Sequence, residues 1–343
     1  MKDPEIIIVG AGLAGAATAY HLRCRGVTEL VVLEQAATPG EHSSGRNAAI
    51  VREKVADLDI RAVLAEGAAA IRRGDLCEFR QTGGILLGPG DDNVADRFPL
   101  AEGVGQWFPQ NGVTDPAGLL QTYLRGVEVR CNTRVLDWKE SGLGVEVRTT
   151  RGFIRGRTLV NAAGAWAGQF GELPFTPLNR HIFVTPEMNE VDLGWPFVWD
   201  LRNGYYFRPE SGGLLMCPCD EERREPGDYR VDEEAHIVLA QLLRRHQPKL
   251  ADVAIKTAWV GQRTFVADRK FVIGYDPRFG CLFHVAGLGG HGVTGSFAVG
   301  RLAADLLTGE DHVDVNPFDP ARLIQAYDPV TARHRDSLRK LAE

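Results

Sequence analysis

The sequence predicts an α/β protein in which a parallel-sheet domain is interleaved with an α+β domain built on a mixed, largely antiparallel sheet. Three observations lead there. Residues 5–34 read as strand, glycine turn, helix and strand, the pattern of a βαβ unit. A second strand running into a glycine-rich turn and a helix recurs at residues 282–309. Between the two, residues 174–259 change character, with several prolines and short β-branched or aromatic runs. A chain of 343 residues has room for about two domains. The interleaved order assigns residues 1–78, 112–172 and 261–343 to the parallel-sheet domain and residues 79–111 and 173–260 to the other.

Taken in order, Glu5 to Val9 is a β-branched run, and Gly10-Ala11-Gly12-Leu13-Ala14-Gly15 opens an Ala-rich helix to about Arg25, ended by Gly26. Leu30 to Leu33 is the next strand and runs into Glu34. Residues 52–73 carry Ile60, Val63, Leu64, Ala68 and Ile71 at helical spacing. Residues 79–111 are turn-rich, with Gly83-Gly84 and Pro89-Gly90. A helix over Pro116–Arg125, paired strands over Val127–Val147 and a short strand over Thr158–Ala163 follow. Ile182–Thr185, Tyr205–Pro209 and Leu214–Cys217 read as strands, and a helix starts at the N-cap Asp232 and stops after Arg245, before Pro248. Val272–Gly274 and Leu282–Ala286 are the last strands. The turn Gly287–Gly292 then leads into an Ala- and Leu-rich helix ended by Gly309.

Composition narrows the classes. Apolar residues at 44% and charged residues at 24% are those of an ordinary globular protein, not of a disordered chain. Seven Lys and 32 Arg stand against 45 acidic residues, for a net charge of −6, and no basic run exceeds two residues, so no nucleic-acid partner is expected. No apolar run approaches the ~18 residues of a membrane span. Ile6–Val9 runs straight into glycines without the pattern of a signal peptide. Six scattered cysteines (24, 77, 131, 217, 219 and 281) fit reduced thiols, and the expectation is a cytoplasmic protein with a small-molecule substrate.

The Gly10, Gly12, Gly15 spacing between strand and helix has the logic of a dinucleotide-binding turn. The first glycine makes the tight turn, the second admits a pyrophosphate to the backbone, and the third lets the helix pack on the strand. The helix N-terminus offers free N–H groups and a positive dipole end to phosphates. Glu34 is placed to accept hydrogen bonds from an adenosine ribose, and its charge would repel a 2′-phosphate. This motif serves FAD and NAD alike. Two further stretches choose FAD. Val160-Asn161-Ala162-Ala163-Gly164 is an apolar strand ending in a small-residue turn that fits against the cofactor. Gly287–Gly292 starts a helix whose dipole would stabilise the negative charge that builds near N1 and O2 of a reduced flavin. The expected architecture is therefore a Rossmann-like FAD-binding domain of the glutathione-reductase type.

These residues, with Gly40-Glu41-His42-Ser43-Ser44-Gly45-Arg46, Asn161-Ala162-Ala163-Gly164-Ala165-Trp166 and Gly261-Gln262-Arg263-Thr264-Phe265-Val266-Ala267-Asp268, resemble the D-amino-acid oxidase (DAO) superfamily of flavoenzymes. Within it the likeness is greatest to bacterial D-amino-acid dehydrogenases of the D-arginine dehydrogenase type, and it runs from about Ile6 to Leu307. The resemblance implies noncovalently bound FAD, oxidation of a substrate C–N bond by hydride transfer to flavin N5, and hydrolysis of the imine to a keto acid. It implies as cofactor neighbours Gly10, Gly12, Leu13, Ala14, Gly15, Glu34 and Gln35, the flavin-wrapping Ser43, Ser44, Arg46, Asn47, Ala48 and Ala49, then Val135, Ala163, Gly164 and Trp166. Arg263, Gly289, Gly290, His291, Gly292, Val293 and Thr294 complete that set. The alternative for the segment His42–Ala49 is a polar surface turn.

Arg263 matches an arginine that clamps the substrate carboxylate, a task suited to a planar guanidinium fork; the alternative is a structural salt bridge. Tyr206 matches an active-site tyrosine, against the alternative of a core aromatic, and Arg180 matches a second substrate-side arginine. The chain departs from the family pattern at Ile50, where the dehydrogenases carry a histidine, and at His291, where they carry a tyrosine. His291 is thus either a pocket residue or an exposed turn residue. Two other functions stay open: a 2-hydroxy-acid dehydrogenase using His291 as base, and a non-catalytic flavin-binding subunit of a larger complex. Cys217-Pro218-Cys219 lacks the Cys-x-x-Cys redox spacing, no metal-ligand spacing stands out, and no Gly-x-Ser-x-Gly elbow is present.

Overall fold

The computed structural model describes residues 3–142, 144–309 and 315–324. A six-stranded sheet forms its first half, in the order Val272–Tyr275, Leu282–Ala286, Thr158–Asn161, Ile6–Val9, Leu30–Leu33, Val129–Arg130. Every pairing is parallel except that of the first two strands. Strands covered on both faces need apolar side chains at every position, which is why Ile6–Val9 and Leu30–Leu33 read as unbroken apolar runs. On one face lie the helices Leu13–Cys24, Leu58–Arg72 and Gly292–Thr308. Their small residues let the backbones approach closely: a Cβ on Gly300 would lie 2.5 Å from the Ala17 carbonyl carbon. The other face packs against the antiparallel strands Val135–Ser141, Gly144–Thr149 and Gly152–Gly156. Among the described residues, no helix is long and apolar enough to cross a membrane.

The second large sheet has eight strands, and only the pairing of Phe197–Asp200 with Gly84–Asn93 is parallel. The helix Glu233–His246 covers one of its faces, burying Ala235, Leu239 and Leu243 against Phe183, Tyr205, Phe207 and Met216. Asp232 caps that helix by accepting from the Glu234 amide at 3.2 Å. The alternation of strand side chains sends Ile182, Tyr206 and Cys217 to the opposite face, with Trp199 and Cys217 directly across from Tyr206. Arg180 shares the side-chain parity of Ile182, and Arg263 faces Leu178 across the strand pair.

Three expectations change. Residues 79–111 form the strands Phe79–Arg80, Gly84–Asn93 and Val104–Phe108, because a register shift between Leu87 and Asp92 absorbs the Gly-Pro-Gly that reads as a turn. The helix expected over 52–73 begins at Leu58, since the Asp57 carboxylate caps it by accepting from the Asp59 and Ile60 amides. This leaves residues 52–57 non-helical. The strand Thr257–Phe265, paired along its whole length with Thr176–Val184, was hidden by the polar Gln262 and Arg263. The expected domain boundary between residues 260 and 261 falls inside it. Parts of the expected span 261–343, namely 310–314 and 325–343, lie outside the described residues.

Candidate active site

A cavity of about 620 Å³ extends from the first glycine turn to the face of the larger sheet. All the candidate site residues of the sequence line it except Gly15. A Cβ on Gly15 would stand 2.1 Å from the Gly10 carbonyl oxygen, so this glycine serves the packing of helix on strand behind the turn.

At one end, Gly10 has φ +105°, and a Cβ there would lie 2.4 Å from the Ala162 carbonyl oxygen; only glycine fits this turn. The buried Glu34 carboxylate accepts the Ala11 amide on Oε2 and the Ala36 amide on Oε1, both at 2.8 Å. Ser44 Oγ accepts the Leu13 amide at 2.9 Å, tying the segment 42–49 to the start of the helix. Asn47 accepts from the Ala49 amide at 2.7 Å and donates to the Ser44 carbonyl at 2.6 Å. That pair holds Ala49 at φ 55°, a conformation a non-glycine residue adopts only under such local control. The segment is part of the cavity wall, not a surface turn.

In the middle, the turn Gly287–Gly292 precedes the helix Gly292–Thr308, whose N-terminus has no side-chain cap. His291 lines the cavity, and its pKa is pushed down to about 3, first by burial and then by the charges of Arg52, Arg263 and Arg269. It is held neutral at any physiological pH.

At the far end, Arg263, Tyr206 and Arg180 come together. Arg180 donates to Glu221 Oε1 at 2.9 Å, and Arg269 donates to the same carboxylate at 2.7 Å. Arg263 makes no hydrogen bond or ion pair among the described residues; its guanidinium rests against Gly290. The Tyr206 hydroxyl is buried without a hydrogen-bond partner among the described residues, and burial, followed by the neighbouring Cys217, drives its pKa well up, so the phenol stays protonated.

Sequence reasoning missed Arg52, Trp199, Cys219, Glu221 and Arg269, all on the cavity wall. Arg52 had been counted at the start of a helix. Trp199 lies across from Tyr206 on a strand that no turn signal announced, with ring centroids 4.5 Å apart. Glu221 stands in the charged stretch Asp220–Glu225, and Arg269 belongs to no motif, so no sequence signal pointed to either.

Residues 5–306 match the family described as FAD dependent oxidoreductase (DAO), and the chain belongs to it. The mitochondrial dimethylglycine dehydrogenase of Rattus norvegicus is 25% identical over 93% of this chain and 44% of its own length. The chain therefore spans less than half of that relative. The monomeric sarcosine oxidase of Bacillus sp. (strain B-0618) is 26% identical over 92% of this chain and 95% of the relative. The crystal structure of L-proline dehydrogenase from P. horikoshii shares the fold, with a TM-score of 0.83 at 21% identity, covering 95% of this chain and 99% of the other.

FAD is the cofactor of this family, and the residues fit it. The first glycine turn is a cradle that any Cβ at Gly10 or Gly12 would fill, the latter meeting Ser44 Oγ at 2.9 Å. Each Glu34 oxygen takes one amide and retains acceptor capacity for a ribose hydroxyl.

Proposed function

We propose that the chain oxidises the C–N bond of an amino acid or an N-alkyl amino acid, giving an imine that hydrolyses to a keto acid. The observation that supports this most is Arg263: a guanidinium on the cavity wall, opposite a helix N-terminus, with no carboxylate among the described residues attached to it. A charge so placed is open to an anion, and a substrate carboxylate supplies one in the bidentate geometry a guanidinium favours. Bound FAD would supply the two-electron acceptor. Glu34 would hold the ribose, and the two helix starts at Gly12–Leu13 and Gly292–Val293, neither capped by its own N-cap residue, would receive the pyrophosphate and the flavin. No cysteine but Cys219 lines the cavity among the described residues, in keeping with noncovalent binding. Arg263 fixes the carboxylate and thereby aims the substrate α-carbon, an orientation effect. Tyr206 presents a protonated hydroxyl to the same pocket, and Arg180, held by Glu221, walls it.

The division into a cofactor part on the six-stranded sheet and a substrate part on the eight-stranded one belongs to this reading. So does a cytoplasmic location, which suits six free thiols. The 2-hydroxy-acid reading asks His291 to take a hydroxyl proton. A group with a pKa near 3 is a weak base for that task, so the amine reading is preferred. Anaerobic mixing of the yellow protein with D- and L-amino acids, N-methyl and cyclic amino acids and 2-hydroxy acids tests the assignment. Bleaching by an amino acid is expected, and bleaching by hydroxy acids alone would overturn it.

A further inference from the structure

Arg52 follows the short strand Ile50–Val51, and its backbone amide donates to Thr294 Oγ1 at 3.3 Å. Its side chain is 9% exposed and lines the same cavity as Arg263. The guanidinium carbon sits 4.1 Å from the centroid of the Trp199 ring, which in turn packs on Tyr206. Stacking fixes the plane of the guanidinium and leaves its N–H edge for in-plane partners. Among the described residues, no side chain or carbonyl accepts from it.

Of the other arginines of the wall, Arg134 is exposed to solvent and three are matched. Arg46 has Asp228 at 2.7 Å, and Arg180 and Arg269 share Glu221. Asp57 also reaches the cavity, but it caps a helix and faces Lys270 at 3.6 Å. The substrate end therefore holds four guanidiniums, of Arg52, Arg180, Arg263 and Arg269, against the single carboxylate of Glu221. Two of them, Arg52 and Arg263, are unmatched and close enough to repel, and burial together with Arg263 lowers the Arg52 pKa to about 10. A buried cation is tolerated when an anion arrives to pair with it. One substrate carboxylate answers Arg263 and leaves Arg52 unanswered.

We infer that the substrate carries a second carboxylate, held by Arg52 against the Trp199 ring, so that the site takes amino dicarboxylic acids. The inference rests on the amino-acid reading above and deepens it by naming the substrate class. Arg52 then sets specificity, while Arg263 positions the α-carboxylate common to all amino acids.

The test uses the FAD-loaded protein and two isosteric pairs, glutamate with glutamine and aspartate with asparagine, in both enantiomers. Flavin bleaching should show kcat/KM at least tenfold higher for the acid than for its amide in one pair. Arg52→Met should reduce that ratio at least tenfold, and Arg52→Lys, which keeps the charge, should retain part of it; both should keep the wild-type FAD content. Glutarate and butyrate, which cannot be oxidised as amines, give an independent readout. Glutarate should perturb the flavin spectrum with at least tenfold lower Kd than butyrate, and Arg52→Met should remove the difference. Amides as good as acids, an equal loss for both in Arg52→Met, or loss of FAD from that variant would overturn the inference. If no amino acid bleaches the flavin, the oxidation reading fails, and the glutarate titration still decides whether the site holds two carboxylates.

Discussion

Gly290 lies directly against the Arg263 guanidinium: a Cβ at Gly290 would stand 2.7 Å from Nε. Gly290 also has φ +89°, so its backbone conformation and its missing side chain serve the same end. The turn between the last strand and the last long helix thus presses on the charged group of the larger sheet. The two sheets meet at this contact, which aligns Arg263 by shape where no ion pair does.

Arg263→Lys replaces a planar fork with a point charge. If the fork clamps the substrate carboxylate, losing it costs on the order of 2–4 kcal/mol of transition-state stabilisation, or about 30- to 1000-fold in kcat/KM. FAD content should remain near wild type. Benzoate should perturb the flavin spectrum of the wild type and not that of the variant. A variant with a lowered melting temperature and normal turnover would instead make Arg263 a structural residue.

Glu34→Gln removes one of two carboxylate oxygens that each accept a backbone amide. One amide of the turn loses its acceptor, and the ribose loses a charge-assisted one, together about 1–3 kcal/mol. FAD should be released about five- to a hundredfold more readily, measured by the fluorescence of freed cofactor on dilution. Unchanged affinity would place the ribose elsewhere.

The half built on the six-stranded sheet was legible because its signals are local. Gly10, Gly12, Gly15 and Glu34 lie within one βαβ unit, and a strand buried on both faces declares itself by composition. The family was legible for the same reason, although the relatives reported above do not carry the D-arginine-type specificity of the resemblance. The half built on the eight-stranded sheet depends on long-range pairing. Trp199 reaches Tyr206, and Thr257–Phe265 reaches Thr176–Val184, only once the eight-stranded sheet has formed. Arg52 escaped because the cap at Asp57 sets the helix start six residues after Arg52, which no apolar periodicity reveals.

Gly67 lies inside the helix Leu58–Arg72, where alanine would ordinarily stabilise by about 1 kcal/mol. Here a Cβ would stand 1.9 Å from the backbone carbonyl oxygen of Thr294, in the first turn of the helix beside the cavity. Backbone cannot rotate aside as a side chain can, so overpacking of about 1–3 kcal/mol outweighs the propensity. Gly67→Ala should lower the melting temperature and weaken FAD binding together. A rise in melting temperature would show that the helices separate without strain.

His21 offers a pH test far from the cavity. It is buried in the helix Leu13–Cys24, edge-on to Phe297 with centroids 4.6 Å apart, and its Nε2 has no hydrogen-bond partner among the described residues. Burial first, then the charges of Arg25 and Arg301, push its pKa down to about 4 from an ordinary value near 6.5. The unfolded chain therefore takes up a proton that the folded one refuses. The neutral ring's contribution is fully present above pH 6.5 and is lost as pH falls toward 4, at up to about 1.4 kcal/mol per pH unit. His21→Phe keeps the ring packing and removes the titration. Denaturant unfolding at a series of pH values between 7 and 4.5 (spanning roughly this window) should show the wild type losing stability faster than the variant on acidification. All other titrating groups are common to both proteins, so the difference between the two curves isolates His21. Parallel curves would mean that the imidazole is protonated in the folded protein, or solvated, and that the ring is not held neutral by its surroundings.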